Sequence, residues 1–313
     1  MEEQIIDWLL EGDVSIQYQA WRDLLDQERP DLRGQIATEG WGARFLSLRN
    51  DNGHWGRAYY QPKWISTHYT ILDLKNLGIS PAVPAIHETL RDVLEHQKGP
   101  DGGINTSPTI KQSDVCLNGM FLNFAAYFEM SVESLQSIVD FILSEHMNDG
   151  GFNCDASRWG AVHSSLHSTL SILEGILEFT ANGYSYRTPE LLQVAAAARE
   201  FILQHRLYKS DRTGEIIDKR MLLLSYPARW YYDILRALDY FQCAGVEFDP
   251  RMQDALDVLI KKRRKDGKWP VQGKHPGQTH FEMELPREPS RWNTLRALRV
   301  LKHFDLMTRP GVR

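Results

Sequence analysis

A turn pattern, glycine followed two residues later by a large apolar residue, recurs five times in the chain at intervals of about fifty residues. Its apolar residues are Trp55, Ile104, Phe152, Ile216 and Trp269. Because an Asp-Gly or Asn-Gly step suits a turn with positive φ, each copy predicts a tight turn whose apolar residue packs onto helix ends. A repeat of this length limits the fold to like units that bury their apolar faces against one another.

Each turn lies between two runs with helical periodicity; IHETLRDVLEH precedes the second turn, for example, and CLNGMFLNFAAYF follows it. Residues 2–11 and 14–27 form a further helical pair, so the pattern predicts six hairpins with about twelve helices and almost no strand. We expect an all-α fold in which the hairpins close into an α/α toroid, an α6/α6 barrel with the second helix of each pair inside. An open solenoid is the alternative, but a polar capping repeat is not evident. Residues 1–313 are expected to form a single domain.

Composition and charge exclude several classes of protein. A net charge of −5 and a pI near 6.1 predict no nucleic-acid partner. No apolar run approaches the roughly 20 residues that span a bilayer, so we expect no transmembrane segment. The acidic start, MEEQIIDWLL, does not resemble a signal peptide, and three cysteines fit reduced thiols. A cytoplasmic protein is therefore expected.

These turns between paired helices resemble the repeats of squalene cyclases and protein prenyltransferase β subunits, along nearly the whole chain. The chain looks closest to small bacterial prenyltransferase and squalene-oxidase repeat proteins, although its fourth repeat, DRTGEIID, departs from the pattern. The resemblance implies a central cavity that binds or converts a small apolar, isoprenoid-like ligand. It implies either a cyclase-like proton donor at Asp114, or a prenyltransferase-like zinc site at Asp114 and Cys116 with His163 or His167. No Asp-x-Asp-Asp motif occurs, so the activity, transferase or isomerase, stays open.

The residues themselves allow the same site. Asp114 and Cys116 stand where a polar stretch becomes a helical run. Because a cap residue is not yet helical, both side chains can reach one point there. His163 and His167 are four residues apart, so a helix would place both imidazoles on one face. Carboxylate, thiolate and imidazole are zinc ligands. The alternatives are a polar cavity cluster without metal, and a helix cap beside a buried thiol.

Further residues suit a cavity wall. Arginines of three Arg-Trp pairs, at Arg158, Arg229 and Arg291, suit either anion binding or capping of helix carbonyls. Glu174 lies in an apolar pattern, where burial would make it a candidate catalytic acid and exposure would not. Aromatic rings near the starts of inner helices are candidate substrate-binding residues, with packing between helices as the alternative. They are Trp64, His68, Tyr69, Trp159, Trp230, Tyr231 and Trp292.

Two other classes of function remain open. A carbohydrate-active toroid, a lyase or a glycosidase, would need two carboxylates about 5–10 Å apart, or a group of Tyr, His and Arg, at an open mouth. A non-catalytic ligand-binding module would have a filled or featureless centre. The lining of the cavity distinguishes them: apolar and aromatic for an isoprenoid, polar and cleft-like for a sugar.

Overall fold

The computed structural model describes residues 2–107 and 109–307, which form fourteen α-helices and a pair of two-residue strands. The helices are α1 (Glu2–Leu10), α2 (Val14–Leu24), α3 (Pro30–Gln35), α4 (Gly40–Leu46), α5 (Thr67–Leu77), α6 (Pro84–His96), α7 (Val115–Tyr127), α8 (Val132–Ser144), α9 (Asp155–Trp159), α10 (Leu166–Ala181), α11 (Thr188–Gln204), α12 (Ile234–Cys243), α13 (Gln253–Lys261) and α14 (Arg291–His303). Strand β1 (Trp269–Pro270) pairs antiparallel with β2 (Pro289–Ser290). The all-α prediction is confirmed.

Each repeating turn lies between two helices in chain order, as the sequence predicts. The helices before and after the five turns are α4 and α5, α6 and α7, α8 and α10, α11 and α12, and α13 and α14, and α1 and α2 form the additional pair at the start. The short helices α3 and α9 lie in the connections. In the described part of the chain, no helix combines the length and hydropathy that a membrane crossing needs.

Four of the five turns are stabilised by the same type of hydrogen bond. The five first glycines all have positive φ, between 72° and 93°. In four turns, the backbone N–H of the apolar residue donates to a side-chain oxygen near the start of the following helix. These bonds are Trp55 to Thr67 (3.0 Å), Ile104 to Asn118 (2.6 Å), Phe152 to Thr169 (3.0 Å) and Trp269 to Thr294 (3.0 Å). All four apolar side chains are 0% exposed, which confirms the predicted burial.

The fourth turn differs. Ile216 is 40% exposed, so the predicted burial is wrong at this position. Its backbone bridges to Lys209 on the other side of the turn instead. The pattern alone indicates the turn, but burial also needs a following helix that begins near enough to cover the side chain.

The chain forms two compact units. The central unit comprises residues 49–75, 81–107 and 109–204, and α7 and α10 pack closely within it. Gly119 and Gly175 allow this approach, because a Cβ added at Gly175 would lie 2.4 Å from the carbonyl oxygen of Gly119. In the described part of the chain, the terminal unit comprises residues 2–48, 76–80 and 205–307. A closed ring and a single domain stay predictions.

A buried ion network joins α2, α12 and α14 in the terminal unit. Asp239 on α12 accepts hydrogen bonds from Arg296 (2.9 Å) and Arg299 (2.5 Å) on α14. Arg299 also donates to Asp23 on α2 at 3.0 Å. Burial opposes ionisation of Asp239, but the two guanidinium groups outweigh it and hold the pKa of this carboxyl below its usual value.

Candidate functional site

A polar cluster lies at the start of α7 in the central unit. We call it the Asp114 cluster; it comprises Tyr60, Lys63, Asp114, Cys116, Cys154 and Arg158. Asp114 is the N-cap residue of α7, yet its side chain makes no cap bond. Instead it pairs with the Arg158 guanidinium at 2.8 Å.

The ion pair is partly buried, which sets its electrostatics. Burial raises the pKa of the Asp114 carboxyl, and the positive charges of Arg158 and Lys63 oppose that shift. Arg158 also donates to the backbone carbonyl of Gln112 at 2.9 Å. The guanidinium is therefore held beside the entry to α7 by two oxygens.

Cys116 and Cys154 are in contact. The backbone N–H of Cys116 donates to Cys154 Sγ at 3.2 Å, and the Ser168 hydroxyl donates to the same sulfur at 3.3 Å. The neighbouring Cys116 side chain and these two donors lower the pKa of Cys154, although burial opposes the shift. The neighbouring Cys154 side chain, together with burial, raises the pKa of Cys116. Cys154 is thus the more acidic thiol of the pair.

Tyr60 and Lys63 have pKa values shifted in opposite senses. The hydroxyls of Tyr60 and Tyr69 are 3.0 Å apart and hydrogen-bonded. Burial raises the pKa of Tyr60, and the nearby Cys116 and Asp114 add to this effect. Burial lowers the pKa of Lys63. Groups whose environments separate their pKa values in this way suit acid and base roles.

His68 lies behind this pair and is fully buried. Its Nδ1 is 2.8 Å from the Tyr59 hydroxyl. Burial lowers the pKa of His68 to about 3, so the imidazole is neutral near pH 7. Its Nε2 is buried and, among the described residues, has no hydrogen-bond partner.

The predicted metal ligands are not arranged as expected. His163 is exposed and precedes α10, which begins at Leu166, whereas His167 lies on that helix and is half-buried. The two imidazoles therefore do not share a helical turn, and the expected placement on one face is wrong. Within residues 2–107 and 109–307, no group of three or more His, Cys, Asp or Glu side chains is placed to hold a metal. Zinc at Asp114, Cys116, His163 and His167 stays a prediction without geometric support.

The predicted substrate-binding aromatics have different environments. Trp64, His68, Tyr69 and Trp292 are buried among other side chains. Trp159 on α9 is 82% exposed, so most of its surface is open to solvent. In the terminal unit, Trp230, Tyr231 and His275 form a half-buried stack with centroid distances of 4.0 and 3.9 Å.

Glu174, the second predicted acid, lies on α10 and is half-buried. It is near Lys75, whose ammonium binds Glu178 at 2.8 Å. Burial opposes the charge on Lys75, but Glu178 and Glu174 outweigh it and raise the pKa of this lysine. Glu174 thus belongs to a charge group with Lys75 and Glu178, and a catalytic role for it stays a prediction.

Sequence reasoning missed Tyr60, Lys63 and Cys154. Cys154 follows the third turn by two residues, but nothing in its spacing from Cys116 indicates contact. Tyr60 and Lys63 lie in the polar stretch before α5, where side-chain placement depends on the loop path. Arg158 could be found through the recurring Arg-Trp pairs.

No family model matches the chain, and no curated protein matches its sequence. A solved structure titled Polysaccharide Lyase superposes on it with a TM-score of 0.53 and 12% sequence identity. The match covers 93% of this chain and 87% of the other. At this identity the likeness shows a shared fold alone.

This finding corrects the expected relationship to squalene cyclases and prenyltransferase β subunits. The similar structure bears the name of a polysaccharide lyase, so the terpenoid assignment and the isoprenoid-like ligand are wrong. The physical reason is that Gly-x-apolar turns between helices serve packing, which carries no information about chemistry. The carbohydrate-active class, expected from the sequence as an alternative, fits this neighbour better.

Proposed function

We propose that the protein cleaves an acidic polysaccharide by β-elimination at the Asp114 cluster. The observation that carries the proposal is the grouping of Tyr60, Lys63 and Arg158 in one partly exposed cluster. The likeness to a structure named as a polysaccharide lyase supports the same class of reaction.

Elimination from a sugar chain needs an acidic C–H bond, which a uronate provides next to its carboxylate. A base removes that proton, the bond to the glycosidic oxygen at the neighbouring carbon breaks, and an acid protonates the departing oxygen. The products are a new chain end and an unsaturated uronate, and no further reactant is consumed. Stabilising the charge that develops on the carboxylate is the main electrostatic requirement.

The cluster offers a residue for each role. Lys63 is the proposed base. Because its pKa is lowered, deprotonating its ammonium costs less free energy than deprotonating an ordinary lysine. Tyr60 remains a neutral phenol at physiological pH and is the proposed proton donor, held by Tyr69. Arg158 is the proposed partner of the substrate carboxylate, in a site where Asp114 keeps the guanidinium oriented.

Trp159 supports a sugar ligand. It follows Arg158 directly and exposes 82% of its surface. Tryptophan faces present a large, rigid apolar area on which the C–H face of a sugar ring can stack. We propose that Trp159 binds the ring next to the one held by Arg158.

The experiment measures the ultraviolet absorbance of the unsaturated product with polygalacturonate, alginate, hyaluronan and heparan-type chains as substrates. Tyr60→Phe is expected to lower kcat about 10²–10⁴-fold, the usual range for loss of a general acid or base. Arg158→Ala should raise KM and lower kcat, and Trp159→Ala should raise KM alone. Tyr186→Phe and Arg187→Ala change a tyrosine and an arginine that bind Asp140 outside the cluster, so they should leave activity intact. Absence of unsaturated product from all four substrates would contradict the proposal.

Hydrolysis is the second candidate. Burial raises the pKa of the Asp114 carboxyl, the negative charge of Asp155 adds to that shift, and a pair of neighbouring carboxylates suits a glycosidase. The same incubations distinguish the two, because hydrolysis releases reducing ends without the absorbance. The cytoplasmic location expected from the sequence stays a prediction.

A further inference from the structure

Two cysteines from successive repeats meet in the central unit. Cys116 lies in the first turn of α7, and Cys154 directly precedes α9. The backbone N–H of Cys116 donates to the Cys154 sulfur at 3.2 Å. A disulfide needs two Cα atoms about 4.4–6.8 Å apart, and a sulfur in contact with the backbone of the other cysteine suits that separation.

The contact is asymmetric. The sulfur of Cys154 accepts from the Cys116 N–H and the Ser168 hydroxyl. Donors of this kind stabilise a thiolate, which is the reactive form of cysteine toward oxidants. Both side chains are partly exposed, so a small oxidant can reach them.

We propose that Cys116 and Cys154 form a redox pair in which a hydroperoxide oxidises Cys154 and Cys116 then closes a reversible disulfide. This proposal rests on the contact between Cys116 and the Cys154 sulfur and does not depend on the polysaccharide reaction.

The steps balance with the hydroperoxide as the only oxidant. The Cys154 thiolate attacks the terminal oxygen of the peroxide, the O–O bond breaks, and Cys154 sulfenic acid forms with release of the alkoxide or hydroxide. The Cys116 sulfur then attacks the sulfenic sulfur, the S–O bond breaks, and water leaves as the S–S bond forms. A dithiol reverses the change by thiol–disulfide exchange.

The bond would have a structural effect. It ties the start of α7 to the segment just before α9, the helix that carries Arg158. The link would hold Asp114 and Arg158 in their paired geometry.

The test treats the reduced full-length protein with hydrogen peroxide and analyses peptides by mass spectrometry without reduction. We expect a disulfide-linked peptide joining Cys116 and Cys154, lost after treatment with dithiothreitol. Cys243→Ser removes the exposed third cysteine and should give the same linked peptide. Failure to find the link in both the wild type and this variant would overturn the proposal.

A second measurement tests the order of events with dimedone, which traps sulfenic acid. In Cys116→Ser, Cys154 should accumulate the dimedone adduct, because the resolving thiol is gone. In Cys154→Ser, Cys116 should be labelled about tenfold more slowly or less, since the Cys116 N–H and the Ser168 hydroxyl donate to the Cys154 sulfur. Equal labelling of the two variants would refute the assigned roles, and urea unfolding of each variant checks that both fold.

Discussion

Ile104→Ala and Ile216→Ala remove the same atoms at equivalent positions of two turns. Ile104 is 0% exposed, and its backbone N–H and C=O bind the Asn118 side chain at 2.6 and 3.1 Å. Ile216 is 40% exposed. The backbone bonds at Ile104 do not depend on its side chain, so the comparison isolates the burial of one isoleucine.

The burial of the Ile104 side chain determines how much free energy of unfolding its removal costs. Full transfer of an isoleucine side chain from water contributes about 1.5–3 kcal/mol, and the cavity left behind brings the cost of Ile104→Ala to about 2–5 kcal/mol. Ile216→Ala should cost about 0.5 kcal/mol or less, as at most surface sites. The alanine in place of Ile104 should therefore lower the free energy of unfolding by several times as much.

Urea unfolding followed by circular dichroism measures both variants. Hydrogen exchange of the turn peptide around Ile104 shows whether the loss is local or global, which matters in a chain with two compact units. Equal losses in the two variants would refute the argument that the covered turns stabilise the repeats and the open one does not.

Three further predictions concern stability. Asp239→Ala leaves two buried guanidinium groups without their shared carboxylate, so urea unfolding should show a loss of about 3–5 kcal/mol; a loss near zero would mean that the network is solvated. Burial raises the pKa of the Glu284 carboxyl from 4.5 to about 7, so the folded state holds a proton that the unfolded state releases across this window. Stability should therefore fall as pH rises from 4.5 to 7, by at most about 1.4 kcal/mol per pH unit, and Glu284→Gln should flatten that slope. Gly175→Ala places a Cβ 2.4 Å from the Gly119 carbonyl oxygen and should cost about 1–3 kcal/mol, whereas Gly34→Ala, with nothing within 4 Å, should be neutral or stabilising in thermal unfolding.

The helices and turns could be predicted because local physics decides them. A glycine with positive φ between two amphipathic runs marks a turn wherever it occurs, and Gly214 forms one even in the degenerate repeat. The exposure of Ile216 could not be predicted, since it depends on which side chains a distant part of the chain brings over the turn. The same reason explains Trp159, whose short helix ends at Gly160 in a left-handed conformation before α10 begins.

Only half of the candidate site could be predicted from the sequence. Asp114 and Cys116 stand out because a polar stretch meets a helical run there, and both belong to the cluster that the structure forms. Their partners, Arg158 and Cys154, come from the next repeat, and spacing does not indicate which side chains meet. A resemblance carried by turns could suggest a fold, but it misled on chemistry because turns do not touch a substrate.

The ion network between Asp23, Asp239 and Arg299 has a consequence for synthesis. Helix α14 leaves the ribosome long after α2; at about 5–20 residues per second, the delay is roughly 15–55 s. Until α14 emerges, α2 lacks one of its partners in the terminal unit, and by then every segment of the central unit has emerged. In the nascent chain, the central unit should therefore fold while the N-terminal hairpin still lacks α14. In that hairpin Asp23 has not yet met Arg299. We therefore expect a ribosome-associated chaperone to bind this segment.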